Sequence, residues 1–125
     1  MTALSRTEHQ EAVRLRSWIL KTRPNLDDYF AHIGNERKCS VVQGAKLKAV
    51  GVKRGFPDFM LLLPSRGYHG LFIELKRSER KQSKLSPEQL SWLIRLNNKG
   101  YLADVCYGAD EAISLIERYL GEKVC

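Results

Sequence analysis

The sequence predicts an α/β fold in which a mixed β-sheet is flanked by helices, with the elements in the approximate order α-β-α-β-β-α-β-α. Two amphipathic segments carry helix start and stop signals, and two short apolar segments on either side of a turn are typical of a β-hairpin. A further strand and helix follow. Because 125 residues suit one domain with a moderate core, we expect a single domain over residues 1–125.

The first helix is predicted to begin at the capping-box pattern of residues 5–8 and to end before Pro24. One stripe of this helix is apolar except at its N-terminal end, and it consists of Glu8, Ala12, Leu15 and Ile19. Glu8 is therefore the candidate functional acid of this helix, and Glu11, on the flank of the stripe, is the alternative. The ordinary explanation of Glu8 is a helix-start carboxylate that the helix dipole favours.

The middle of the chain contains a short strand, a short helix and the hairpin. Residues 29–33 are compatible with the strand, and residues 40–50 with the helix. The strands 58–63 and 71–76 are predicted to pair over a turn centred near Gly67.

The second long helix has a complete start signal. Ser86 is the predicted N-cap, Pro87 suits the first helical position, and Gln89 completes the capping box. Residues 101–107 are predicted to form the next strand, after which Asp110 is expected to cap a last helix. The inward-facing residues of that last helix are predicted to be Ile113, Ile116 and Leu120.

The chain carries a surplus of positive charge. Lys and Arg number 21 against 14 Asp and Glu, which gives a net charge of +7 and a pI near 9.5. Such a surplus on a small domain produces a positive field that attracts polyanions such as nucleic acids. A solvated basic surface without a partner would have the same composition, so charge alone does not choose between the two.

Other compositional features argue against several classes of protein. No apolar run approaches the roughly 20 residues that cross a bilayer, and the N-terminus lacks a signal-peptide pattern. The three cysteines are widely spaced without a zinc-binding pattern, so neither a zinc site nor a disulfide framework is expected. We expect a cytoplasmic protein with no membrane partner.

The open end of the predicted hairpin brings charged side chains together. Pairing outward from the turn places Asp58 opposite Glu74 or Lys76, and the alternation of a strand puts Glu74 and Lys76 on one face. Two neighbouring carboxylates repel unless a cation neutralises them, and hard oxygen ligands favour Mg²⁺ or Mn²⁺. The alternative is that Glu74 and Lys76 are merely exposed neighbours and Asp58 a turn residue, because short motifs recur freely.

Pro57-Asp58, followed by Glu74-Leu-Lys76, resembles the active-site signature of the PD-(D/E)xK nuclease superfamily. The wider pattern is similar to the VRR-Nuc family in its stand-alone phage and bacterial form. Its matching blocks are Glu8 in the first helix, His32-Ile-Gly-Asn35-Glu36, Gly51-x-x-x-Gly55-x-Pro57-Asp58, Phe72-Ile-Glu74-Leu-Lys76 and Leu85-Ser-x-x-Gln89-x-x-Trp92. The resemblance covers about residues 7–107 and implies a restriction-endonuclease-like core.

The resemblance also implies roles for the site residues. Asp58 and Glu74 would hold the metal, joined by the backbone carbonyl of Leu75 and, directly or through water, by Glu8. Lys76 would orient or help to deprotonate the attacking water. Gln89 would form a hydrogen bond with Lys76 or with the water, although a capping role alone explains its position equally well.

Basic residues flank both ends of the hairpin and are candidates for binding DNA phosphates. One cluster consists of Lys46, Lys48, Lys53 and Arg54, and the other of Arg77, Arg80, Lys81 and Lys84. His32 and Asn35 are candidates for the lining of the substrate cleft. Runs of charge usually mark a solvated face, and the position of these clusters beside the predicted metal site favours the functional interpretation.

The resemblance implies a Mg²⁺-dependent endonuclease that hydrolyses DNA phosphodiester bonds to 5′-phosphate and 3′-hydroxyl ends, with Mn²⁺ as a substitute metal. It further implies a homodimer that acts on branched DNA such as four-way (Holliday) junctions, in a bacterial or phage-infected cytoplasm, without a small-molecule cofactor. The alternatives are a non-catalytic basic nucleic-acid-binding module, a nuclease of the same fold that cuts linear duplex, flaps or RNA, and an interaction subunit of a larger machine.

Overall fold

The computed structural model describes residues 6–33, 40–79 and 84–121. Its four helices and four strands follow the predicted order, with one 3₁₀ helix at Pro24–Tyr29. The helices are α1 (Glu8–Thr22), α2 (Val41–Ala49), α3 (Pro87–Asn98) and α4 (Ala109–Tyr119). The strands are β1 (Phe30–His32), β2 (Phe59–Leu61), β3 (Leu71–Lys76) and β4 (Leu102–Tyr107). The predicted α/β class is confirmed.

The four strands form one mixed sheet in the order β1-β2-β3-β4. β1 pairs with β2 and β2 with β3 in antiparallel directions, whereas β4 runs parallel to β3. The parallel pair requires a crossover connection, which α3 provides. As a result, the end of β3, the end of β4 and the start of β2 lie at the same edge of the sheet.

Helices cover both faces of β3, and all six of its residues are buried. On one face Leu71, Ile73 and Leu75 pack with α1 and α4 in the larger core cluster, which includes Leu15 and Ile116. The alternate residues of β3 face α3 on the other side of the sheet. A smaller core cluster there consists of Phe72, Leu93, Leu96 and Ala103. Burial on both faces agrees with the composition of β3, in which four of the six residues are apolar and occupy both faces.

The turn of the β2–β3 hairpin lies where the sequence predicts it. Ser65 and Tyr68 exchange backbone hydrogen bonds, and Arg66 and Gly67 between them have φ values of 53° and 86°. Positive φ at both central positions is the signature of a type I′ turn, whose twist matches that of the flanking strands. This turn fixes the register of the hairpin and therefore the position of every side chain at its open end.

Three details of the sequence prediction are corrected. The N-cap of α1 is Thr7, which forms a capping box with Gln10, and Ser5 lies outside the described residues. The N-cap of α4 is Gly108 instead of Asp110, because the helix begins two residues earlier than predicted. In α4 the buried positions include Ala112, Leu115 and Ile116, whereas the predicted Ile113 and Leu120 are only partly buried.

In the described part of the chain, no helix combines the length and the apolar character that a membrane crossing requires.

Candidate active site

Two carboxylates meet at the open end of the hairpin. β2 and β3 pair with Phe59 opposite Ile73, and extending this register by one pair places Asp58 opposite Glu74. The Asp58 carboxylate is half-buried, and its Oδ2 accepts a 2.8 Å hydrogen bond from the backbone N–H of Leu75. The predicted convergence of Asp58 with the Glu74-Leu-Lys76 segment is therefore present in the structure.

Glu74 and Lys76 lie on the face of β3 that α3 covers. Their residues are only 1% and 8% exposed, and Lys76 Nζ lies 3.8 Å from Glu74 Oε2. The alternative in which both are exposed surface residues is thus wrong. Burying charged groups is costly unless they are compensated, and the proximity of Lys76 to Glu74 supplies such compensation.

Gln89 connects α3 to this pair. Its Oε1 accepts a 2.9 Å hydrogen bond from the Ser86 backbone N–H, which completes the predicted capping box. Its Nε2 donates a 3.3 Å hydrogen bond to Glu74 Oε2. The side chain therefore performs the capping role and contacts the site at the same time, and it does so through the carboxylate of Glu74.

The basic loop before Asp58 packs against the start of α3 at Gly55. With φ at +81°, Gly55 lies so close to the helix that a Cβ there would stand 2.7 Å from the carbonyl carbon of Glu88 and 2.8 Å from Gln89 N. Next to it, the Phe56 ring packs edge-on against Phe72 and Trp92. The loop that carries Lys53 and Arg54 is thereby held beside the residues of the site.

Replacement of this glycine tests the close approach. We expect Gly55→Ala to lower the free energy of unfolding by about 2–4 kcal/mol, because it adds the positive-φ penalty to a clash with helix backbone. Gly51→Ala is the matched control, since Gly51 also has positive φ but open space around its Cβ position, and about 1–2 kcal/mol is expected there. Urea denaturation measures both; equal losses would show that the contact with α3 is unimportant.

A buried carboxylate on α1 supports the site from the other side of the sheet. Glu11 is fully buried, and its Oε1 accepts a 3.1 Å hydrogen bond from Ala109 N at the start of α4. The preceding residue, Gly108, donates its N–H to the Lys76 carbonyl. Glu11 therefore caps the start of α4, where the N-cap residue Gly108 has no side chain to do so. It also holds the turn before α4 next to the end of β3.

The capping role of Glu11 predicts different outcomes for two substitutions. Glu11→Gln keeps an oxygen for Ala109 N–H and is expected to cost at most about 1 kcal/mol of stability, whereas Glu11→Leu is expected to cost about 1–3 kcal/mol. Thermal denaturation at a series of urea concentrations compares the stabilities of the two variants. An equal loss of stability in both variants would refute the capping role, because Gln retains the acceptor.

Comparison with known proteins places the chain in a family. The family model of the VRR-NUC domain matches residues 6–110. The chain belongs to the VRR-NUC domain family. A solved structure of a VRR_NUC domain protein is 31% identical and superposes with a TM-score of 0.81, over 97% of this chain and 92% of that chain. The comparison with curated proteins gives no match.

Membership in the VRR-NUC family confirms the resemblance inferred from the sequence and identifies a nuclease-type protein. The helices on both sides of the mixed sheet agree with the restriction-endonuclease-like fold that the resemblance implies.

Most of the other predicted site residues that the structure describes are exposed. Glu8 is exposed in the first turn of α1, so the buried stripe of that helix begins at Glu11. His32 is exposed, and its ring stacks on Phe59 with the centroids 4.6 Å apart. Among the predicted DNA-binding residues, Arg77 is half-buried, and the exposed ones are Lys46, Lys48, Lys53, Arg54 and Lys84. Asn35, Arg80 and Lys81 lie outside the described residues.

The buried role of Glu11 is what the sequence reasoning missed. Glu11, Leu15 and Ile19 follow one another at i, i+4 and i+8 and are all buried, so they form the same kind of stripe as the one that starts at Glu8. Choosing between the two stripes requires knowing which element packs against α1, because the backbone N–H that Glu11 caps lies 98 residues away, at the start of α4.

Ionisable groups away from the site have shifted pKa values with local causes. Burial, together with the charges of Asp104 and Glu111, raises the pKa of the Cys106 thiol to about 12, so this cysteine is protonated at neutral pH and unsuited to nucleophilic chemistry. The hydrogen bond from Arg16 lowers the pKa of the half-buried Asp27. Burial raises the pKa of Tyr119, whose hydroxyl donates to the Leu63 carbonyl.

Proposed function

We propose that this VRR-NUC chain is a Mg²⁺-dependent endonuclease that hydrolyses DNA phosphodiester bonds, with Mn²⁺ able to replace Mg²⁺. The observation that carries the proposal is the meeting of Asp58, Glu74, Lys76 and Gln89 at one end of the hairpin, with Glu74 and Lys76 buried side by side. Membership in a nuclease-type family supports the reaction class.

The donor set fits a hard divalent cation. The carboxylates of Asp58 and Glu74 would hold it, together with the carbonyl of Leu75, the residue after Glu74, and Glu8 as the acid from α1. Mg²⁺ suits a pair of carboxylates, since this ion keeps several waters and binds through one or two carboxylates. When bound, the ion polarises the scissile phosphate and lowers the pKa of a bound water.

The protein side chains supply orientation and charge. The Leu75 N–H fixes one oxygen of Asp58, and the Gln89 amide fixes one oxygen of Glu74, so both carboxylates are held in defined positions before substrate arrives. The Lys76 ammonium, 3.8 Å from Glu74, would donate hydrogen bonds to the attacking water or to the phosphate oxygen on which negative charge develops.

The substrate that suits this chain best is branched DNA, such as a four-way junction, cut by a homodimer to leave 5′-phosphate and 3′-hydroxyl ends. The net charge of +7 provides affinity for a densely charged polyanion. A twofold dimer would present two identical sites to the paired strands of a junction. This activity would place the protein in the cytoplasm of a bacterial or phage-infected cell.

The proposed function is tested with end-labelled four-way junction, flap and linear duplex DNA under matched salt, in Mg²⁺, in Mn²⁺ and in EDTA. We expect symmetric cuts in the junction with either metal and none in EDTA. Sedimentation of the protein with and without the junction measures its oligomeric state, and a dimer is expected. Cleavage in EDTA would overturn the metal-dependent mechanism, and equal cleavage of linear duplex would overturn the preference for branched DNA.

A further inference from the structure

A basic cleft lies at the N-terminal end of α1, on the face of the sheet opposite to α3. Its volume is about 720 Å³, and its polar lining consists of Arg6, His9, Gln10, Arg14 and Arg77 together with Thr7. Among the described residues that line it, none is acidic. Three guanidinium groups around one cleft match the planar, bidentate geometry that Arg uses to bind phosphate.

Contacts with the body of the protein hold these side chains in place. Arg77 immediately follows Lys76, and its Nε donates a 3.1 Å hydrogen bond to the Arg6 carbonyl, which joins the end of β3 to the chain before α1. Arg14 lies 3.6 Å from Glu11 of its own helix and 3.5 Å from Asp110 in the first turn of α4. The cleft is therefore attached directly to the strand that carries Glu74 and Lys76.

The cleft continues along α1 toward the start of β2. A second cleft of about 520 Å³ shares His9 and Val13 with the first and extends to His32 and Phe59. Its charged pair, Arg16 and Asp27, is 3.0 Å apart and largely self-compensating. The groove thus begins beside the end of β3 and ends beside the residue that follows Asp58 at the start of β2, so both of its ends lie at the end of the sheet that carries the site, on the face opposite to α3.

We propose that the first cleft binds backbone phosphates of DNA that extends from the site, with Arg6, Arg14 and Arg77 as the binding residues. This inference rests on the proposed function, because it assigns the path of the same substrate. The part of α1 along the cleft, from Glu8 to Val13, rises about 7.5 Å, and a DNA strand carries one phosphate per about 3.4 Å of axis. The cleft therefore matches a length of about two consecutive phosphate steps.

Equilibrium binding tests this assignment independently of cleavage. Fluorescence anisotropy with a labelled duplex of about 20 base pairs in EDTA, from about 50 to 200 mM salt, compares the full chain with Arg6→Gln/Arg14→Gln. We expect affinity to fall about tenfold or more, and the slope of log K against log salt to become less negative by about 2, since each phosphate that the variant no longer neutralises changes the slope by about 1. The single variant Arg6→Gln, whose side chain is exposed, is expected to change the slope by about 1 without disturbing the fold.

The matched control is Lys99→Gln/Arg118→Gln, which removes the same charge at the opposite end of the sheet. There, beside the hairpin turn, the His69 N–H donates to the Gly100 carbonyl and Arg66 donates to the Arg118 carbonyl. The control is expected to leave the slope unchanged and to lower affinity less than about threefold. Equal effects of the two double variants, or an unchanged slope in Arg6→Gln, would overturn the cleft as a phosphate site even if the protein cleaves DNA. A selective effect in a protein that never cleaves would leave the cleft standing and refute the nuclease proposal.

Discussion

Glu74→Gln is expected to lower kcat for DNA cleavage by at least about 10³-fold while leaving the fold intact. The substitution preserves the size of the side chain and an oxygen that can accept from Gln89, but it removes the negative charge that, in the proposed mechanism, would hold the cation. Single-turnover cleavage of labelled junction DNA in Mg²⁺ measures the loss, and circular dichroism verifies that the variant is folded.

Glu117→Gln is the matched control for this substitution. It makes the same change of charge in α4, toward the turn end of the sheet, and its kcat is expected to stay within about twofold of the parent. If Glu74→Gln retained the activity of this control, the buried carboxylate would not belong to the reaction.

Lys76→Met is expected to reduce kcat by about 10²–10³-fold, because it removes the ammonium that the proposed mechanism places beside the scissile phosphate and keeps the aliphatic bulk. The same change leaves the buried Glu74 carboxylate without its cationic neighbour, so in EDTA the free energy of unfolding should fall by about 1–3 kcal/mol. Denaturation in EDTA and cleavage in Mg²⁺ measure the two effects separately.

The double variant Glu74→Gln/Lys76→Met closes a thermodynamic cycle for the pair. Because it removes both charges, we expect it to be more stable in EDTA than Lys76→Met alone. Additive losses of stability would show that the two groups do not interact in the folded protein and that Lys76 does not compensate the buried charge of Glu74.

The hairpin and the second long helix could be predicted from sequence because local signals determine them. The turn at Gly67 sets the pairing that brings Asp58 to Glu74, and Ser86 with Gln89 specifies the start of α3 within four residues. Local rules leave Gln89 with two possible roles. The structure shows that the capping bond uses its oxygen and that its nitrogen donates to Glu74, a partner that the sequence prediction did not name.

The acid of α1 and the cap of α4 could not be predicted because they depend on each other across the fold. Adjacent stripes of a helix differ by only a small rotation, and the packing of α4 decides that Glu11, instead of Glu8, is buried. Asp110 has the right residue type for a cap, but a carboxylate from α1 already occupies that role. The participation of Glu8 in metal binding stays a prediction.

Diffraction from crystals soaked in Mn²⁺ tests the central claim most directly. Anomalous scattering is expected to place one strong peak between the carboxylates of Asp58 and Glu74, at a bonding distance of about 2.1 Å from an oxygen of each, and Mg²⁺ should displace it. Crystals that bind Mn²⁺ elsewhere, or that show no peak between these two side chains at a saturating concentration, would contradict the assignment of this end of the hairpin as a metal-dependent active site.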